Sequence, residues 1–374
     1  MDASDIQFSE LMKKIKSKNE EDKRYAARII GERREKKGIK PLIMLLYDKS
    51  DAVKETAAEA LARIDGREVV REILPLLRSE KVDLRNIVIE ILEEIGEPAI
   101  KPLSLLLKDK DNDIRKFACD IMGNIGSPEA VSYLILALDD PHINVACSAC
   151  EALGNIKDKK AVEALLKVLK VRKNLKNRKW LVYNAVEALG KIKEPCVIEE
   201  LMKLSSSKDP LIIFTLVKSL GEIGDVKAID YLLSCLDSSL LNKVAIEAIA
   251  KIARKNKREV YSKLKSYPEK LSILRKLLND PSARTRKNVA FILGVAKDKE
   301  ATAFLIPLLS DEEEVREEVM RALLTIEPEF TSLSLNEEYI EAAREILEVF
   351  LYDNDKELRE LANKALRKLS SVVE

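Results

Sequence analysis

Apolar residues recur along this chain at three- and four-residue steps, interrupted at regular intervals by Asp, Asn, Ser, Gly and Pro. In residues 111–126, DNDIRKFACDIMGNIG, the positions Ile114, Phe117, Ala118, Ile121, Met122 and Ile125 share one side of a helix. Asp111 or Asn112 can cap its start, and Gly126 can close it in the left-handed conformation. SPEAVSYLILALDD follows as a second apolar-striped helix, closed by Asp139 and Asp140. The pair then restarts. Its closing residues are Ile64, Ile95, Ile125 and Ile156, spaced 31, 30 and 31 apart. Ile192, Ile223, Ile252, Ala296, Ile326 and Leu369 continue the series at 36, 31, 29, 44, 30 and 43. Arg33 stands in the same place in the first unit.

A fixed period of this size predicts stacked helical hairpins. The expected fold is all-α, an elongated α-α superhelix of about eleven hairpins and 22 helices, with 1–374 as a single solenoid. Ala57 and Ala60, Ala149 and Ala152, Ala185 and Ala188, and Ala245 and Ala248 are small at matching positions, where neighbouring hairpins approach closely. Pro41 and Pro102 fall at one equivalent position in the first turns of first helices, where proline is tolerated. Asp5–Lys16 is expected to supply the first of these helices.

The pattern D-x-x-V-R-x-x-A-x-x-A-L-G-x-I-G, then D-x-x-A-V-x-x-L-x-x-L-L, resembles the HEAT repeat of the phycobilin-lyase-like type, over essentially the whole chain. The resemblance implies that the helix carrying V-R and A-L-G lines the concave side. It also implies that the Arg bonds acidic loop residues of adjacent units. That position holds Lys54, Arg85 and Arg115, then Ala146, Val182, Ile213 and Asn242, then Arg286, Arg316 and Arg359. Four consecutive units therefore lack the basic residue. An acidic row at Glu59, Glu90, Asp120, Glu151 and Glu187 belongs to the repeat consensus and is read as structural.

Three units carry extra residues, near 170–179, 253–271 and 327–339. Such insertions map to loops on one face, often the binding face; the other reading is a lengthened helix with solvated lysines. Two of the three are basic. The total charge is +1, but it is unevenly spread. Residues 1–156 hold 25 basic and 29 acidic residues, 157–300 hold 32 and 17, and 301–374 hold 8 and 18. The basic stretch is either a drift of solvated helix faces or a charged binding segment.

Enzymatic chemistry is poorly supplied. One histidine, His142, excludes a His-based metal cluster. Cys147 and Cys150 form a C-x-x-C with no second pair, whereas a zinc site needs about four ligands. Cys119 and Cys150 fill slots where sibling repeats have Ala. No nucleotide-loop, zincin or nucleophile-elbow motif occurs. No catalytic residue, cofactor, metal or small-molecule substrate is expected. The acidic start MDASDIQFSE is no signal peptide, and the apolar runs are too short for a membrane span. The 5 cysteines, an odd number set within helices, suit a reducing cytoplasm, and abundant Lys, Glu and Ile hint at a thermophile.

These features point to a cytoplasmic scaffold or adaptor that lays a segment of another protein along its concave groove. Phe117, Trp180, Tyr183 and Phe214 would supply apolar contact, as aromatic anchors do. Lys179, Lys218, Lys243 and Lys287 would steer acidic groups. The alternative partner is nucleic acid, bound through 157–300. A DNA glycosylase of HEAT-like fold ranks below both, because the acidic row would repel phosphate beside the single tryptophan.

Overall fold

Helix boundaries follow local chemistry. Asp111 accepts from the Asp113 amide at 2.9 Å and Gly126 closes the helix at φ 72°. Asn19, Ser50 and Asp209 cap other helices with their side chains, at 2.8, 3.4 and 3.0 Å. In the computed structural model, which describes residues 7–64, 66–170, 175–328 and 337–373, helical hairpins follow one another along the chain. Residues 171–174 of the first expected insertion and 329–336 of the third lie outside the described residues. The described residues form 23 α-helices and no strand.

Two units are distinguished, one through Ile192 and one from Lys193. In the first unit the second helices of the hairpins are α1 (Glu20–Glu32), α2 (Asp51–Arg63), α3 (Val82–Ile95), α4 (Asn112–Ile125), α5 (Ile143–Ile156) and α6 (Leu175–Ile192). In the second they are α7 (Pro210–Ile223), α8 (Asn242–Lys255), α9 (Ala283–Ala296), α10 (Glu313–Ile326) and α11 (Lys356–Val373). Within each unit, successive second helices pack on one another and on the shorter first helices between them.

The closing isoleucines mark the period but not the deepest core. Ile95, Ile125 and Ile156 are half-buried at helix ends. The residues three positions earlier, Leu92, Met122 and Leu153, are fully buried, as are Leu189, Leu220 and Ile249 in their repeats. Small residues set the inter-helix spacing. A Cβ built on Gly123 would lie 2.7 Å from the Cα of Ala152, and one on Gly154 2.8 Å from that of Ala188. The second unit repeats the contact between Gly221 and Ala248 at 2.6 Å and between Gly294 and Ala322 at 2.9 Å. These four glycines, at the G of the A-L-G position, thus each face an alanine of the next repeat, backbone to backbone.

A basic residue ties consecutive repeats together. Arg115 grips Asp140 with two bonds of 2.7 and 2.9 Å and donates to the Asp109 carbonyl at 2.8 Å. Arg286 does the same in the second unit, to Asp311 at 2.6 Å through both nitrogens and to the Asp280 carbonyl at 2.9 Å. Arg85 and Arg359 reach the equivalent carbonyls of Ser79 and Asp353, each at 2.6 Å. These bidentate pairs are half-sheltered from water, which strengthens them over exposed ones. Where the basic residue is missing, Ala146 and Val182 are buried apolar contacts, and Asn242 has a buried amide oxygen with no partner.

The insertion at 253–271 is neither a loop nor a lengthened helix. It folds into a separate short helix, Lys257–Lys265, with Val260 and Leu264 fully buried. Pro268–Leu277 then serves as the first helix of the next hairpin.

Candidate binding surface

The face built by the second helices carries open grooves. In the first unit one lies between α1 and α2, about 470 Å³, around Arg24, Tyr25, Thr56 and Arg63. In the second unit a groove of about 530 Å³ runs across α7, α8 and α9, and brings Phe214, Lys218 and Lys243 together. Lys287 lines the adjoining groove of about 560 Å³ with Lys251, Arg284 and Glu314.

The aromatic residues differ in what they offer. Trp180 on α6 is 53% exposed, a large apolar ring left in water. Tyr183 packs edge-on against it, with centroids 5.9 Å apart and planes at 76°. The Lys179 ammonium lies 5.7 Å from the Trp180 centroid, within cation–π range. The Asn184 amide donates to the Trp180 carbonyl at 2.9 Å. Phe117 sits on α4, half-buried, and no ring contact joins it to that pair among the described residues. Phe214 in the second unit is 41% exposed at the end of its groove.

Several cations of these second-unit grooves are neutralised. Lys243 pairs with Asp280 at 2.9 Å and Lys287 with Glu314 at 2.9 Å. Lys251 bridges Glu222 and Glu247 at 2.6 and 2.8 Å, and Arg284 reaches Glu247 at 2.6 Å. The hydrogen bond from Lys251, opposed by burial and reinforced by Lys193, holds the Glu222 carboxyl down to about 2. The consensus acidic row takes part in similar local pairs, with Asp120 bonded to Lys116 at 2.6 Å and Glu59 near Arg63 at 3.8 Å.

Sequence reasoning missed Asp280, Glu314 and Glu222 as partners of these lysines, because they lie a repeat away. The period does give a clue: Lys287 and Glu314 are 27 residues apart, and Lys251 and Glu222 are 29.

The cysteine pair has no sign of activation. Cys147 and Cys150 lie on α5, and burial raises both thiols above their ordinary value. Burial pushes Cys119 to about 12. Such thiols behave as small hydrophobic residues rather than nucleophiles. No cluster of three or more metal-ligating side chains occurs among the described residues. No helix among them is long and apolar enough to cross a membrane.

Five stretches, residues 8–93, 70–140, 100–183, 175–253 and 271–367, the first four overlapping in turn, match the family described as HEAT repeats. No curated protein matches the chain in sequence. Among solved structures, the karyopherin Kap121p bound to the extreme C-terminus of the protein phosphatase Cdc14p is similar, with a TM-score of 0.60 and 14% identity over 98% of this chain and 46% of that one. Kap121p bound to Pho4p gives a TM-score of 0.58 and 15% identity, over 98% and 45% of the two chains. Kap121p bound to Nup53p gives the same four values, 0.58, 15%, 98% and 45%. This chain therefore spans less than half the length of the karyopherin. At these identities the likeness establishes the fold class, an all-α superhelix of helical hairpins.

Proposed function

We propose that this chain, which belongs to the HEAT-repeat family, is a non-catalytic scaffold or adaptor that binds another protein through the face of its second helices. The observation that carries the reading is Trp180, more than half exposed and flanked by Tyr183 and Lys179. Leaving an indole in water forgoes roughly 2 kcal/mol of burial, and aromatic groups of this kind are the usual anchors of protein interfaces. Phe214, beside Lys218 and Lys243, would provide a second contact, and Phe117 a lesser one. Kap121p bound to the extreme C-terminus of Cdc14p, to Pho4p and to Nup53p is consistent with this mode. We extend the proposal to the phycobilin-lyase-like subtype, on the quoted repeat motif, and to a cytoplasmic location in a thermophile, on cysteine usage and composition.

Nucleic acid is the alternative partner, through residues 157–300. The pairing of Lys243, Lys251, Arg284 and Lys287 with carboxylates counts against it, because a phosphate backbone would have to displace those partners. A salt series separates the two. Phosphate neutralisation makes affinity fall steeply with salt, whereas an aromatic-anchored protein contact is expected to hold while Trp180→Ala weakens it.

A further inference from the structure

A pocket of about 700 Å³ in the second unit, larger than the grooves above, has an organisation they lack. Its floor is apolar and aromatic, made by Phe291 and Val295 of α9, Ala322 of α10 and Leu358 of α11. One wall is the inserted helix Lys257–Lys265, which contributes Lys257, Arg258 and Tyr261. Arg254, Lys297 and Arg321 complete the rim.

The cations here are disposed differently from those on the neighbouring face. Arg321 is paired with Asp353 at 2.8 Å. Arg254, Lys257, Arg258 and Lys297 make no ion pair with a carboxylate among the described residues. Arg254 instead stacks over the Phe291 ring at 4.9 Å and donates to the Asn288 amide oxygen at 3.0 Å. Four positive charges that no ion pair ties down thus surround an apolar floor. Two carboxylates in the lining, Asp355 and Glu318, offset part of that charge and leave it net positive; Asp355 also caps α11, accepting from the amides of Glu357 at 2.9 Å and Leu358 at 3.3 Å. Glu318 lies deeper and makes no ion pair; burial raises its carboxyl, against the pull of Arg321, Arg254, Lys287 and Lys257.

We propose that the pocket formed by the inserted helix with α8 to α11 is a docking site for an acidic peptide segment that places an aromatic or leucine side chain on Phe291 and its carboxylates on Arg254, Lys257, Arg258 and Lys297. Charge complementarity selects an acidic partner, and the apolar floor selects one with a hydrophobic side chain between its carboxylates. A nucleic acid fits less well, because its phosphates follow one another without a break and would also face Glu318 and Asp355, whereas a peptide can space its carboxylates towards the cations alone. This site stands apart from the Trp180 and Phe214 contacts and does not depend on them.

The test uses the full chain and a fluorescein-labelled peptide in which a single Phe is flanked by Glu and Asp, followed by anisotropy. The comparison probes are the same peptide with Phe replaced by Gly and an oligothymidylate of equal charge. Lys257→Glu with Arg258→Glu changes two exposed side chains and should leave the far-ultraviolet circular dichroism unchanged. It should weaken the Phe peptide by about tenfold or more, as reversed charges facing a charged partner do. The Gly peptide should bind several-fold more weakly than the Phe peptide, and Glu318→Gln should bind the Phe peptide as tightly as the parent or tighter. Equal binding of the Phe peptide by the folded charge-reversal variant would overturn the proposal. So would displacement of the peptide by a tighter-binding oligothymidylate. Loss of binding in Glu318→Gln would also overturn it, because the pocket would then be reading a cation.

Discussion

Alanine is a better helix former than glycine by about 1 kcal/mol, so Gly221→Ala, in the last turn of α7, would stabilise that helix if it stood alone. In the stack, the added methyl would lie 2.6 Å from the Ala248 Cα, a backbone atom that cannot swing aside. Overpacking of that kind costs about 1–3 kcal/mol. The clash therefore outweighs propensity, and Gly221→Ala should lower the melting temperature. A higher one would show that the helices separate at no cost. A second residue-scale expectation concerns acid. Glu222 is held at about 2 in the fold, against about 4.3 for a free Glu. Its contribution is thus complete above the unfolded value and is lost as pH falls from about 4 towards about 2. Urea denaturation of Glu222→Gln against the parent should show a stability deficit at neutral pH that shrinks across that window. A deficit that is constant with pH would mean that the Lys193–Glu222–Lys251 contact carries no charge-dependent stability.

At the scale of elements, the hairpin frame was legible in the sequence because its signals are local. Caps such as Asp111 and Gly126, the three-and-four spacing of apolar residues, and the glycine of A-L-G all act within one helix or between adjacent ones. The inserted segment was harder to read. In KREVYSKLK only Val260 and Leu264 are strongly apolar, and their spacing of four is too short a pattern to separate a buried helix from a solvated run. Only the packed neighbours reveal that both are inside. Leu264→Ala should accordingly cost about 2 kcal/mol or more, the usual penalty for emptying a buried leucine site. Lys263, on the same helix, is exposed and paired with Asp230 at 2.6 Å. Its replacement by Ala should change stability far less than Leu264→Ala does, as for exposed ion pairs generally. Equal losses in chemical denaturation would contradict the placement of this helix. The arginine positions were likewise visible as a row with a gap, and the resemblance implied acidic loop partners in adjacent units; the stacking shows which acids these are, Asp140 and Asp311, each 25 residues further on.

For the whole molecule, charge read along the sequence and charge read on the surface give different pictures. Residues 157–300 hold 32 basic and 17 acidic side chains, which by itself suggests a polyanion-binding segment. On the helix face many of those cations already have carboxylate partners, while Trp180 and Phe214 leave large aromatic rings exposed. Trp180 was legible as a candidate because it is the single tryptophan, and its exposure could be judged only once α6 was placed. The most direct test of the central claim is capture from native lysate, after nuclease treatment, by the parent chain and by Trp180→Ala with Phe214→Ala, with captured species identified by mass spectrometry. The account predicts a discrete protein partner that survives nuclease and moderate salt with the parent chain and is lost, or reduced by about tenfold or more, with the double variant. Capture that disappears on nuclease treatment and is unchanged by loss of both aromatic rings would contradict it.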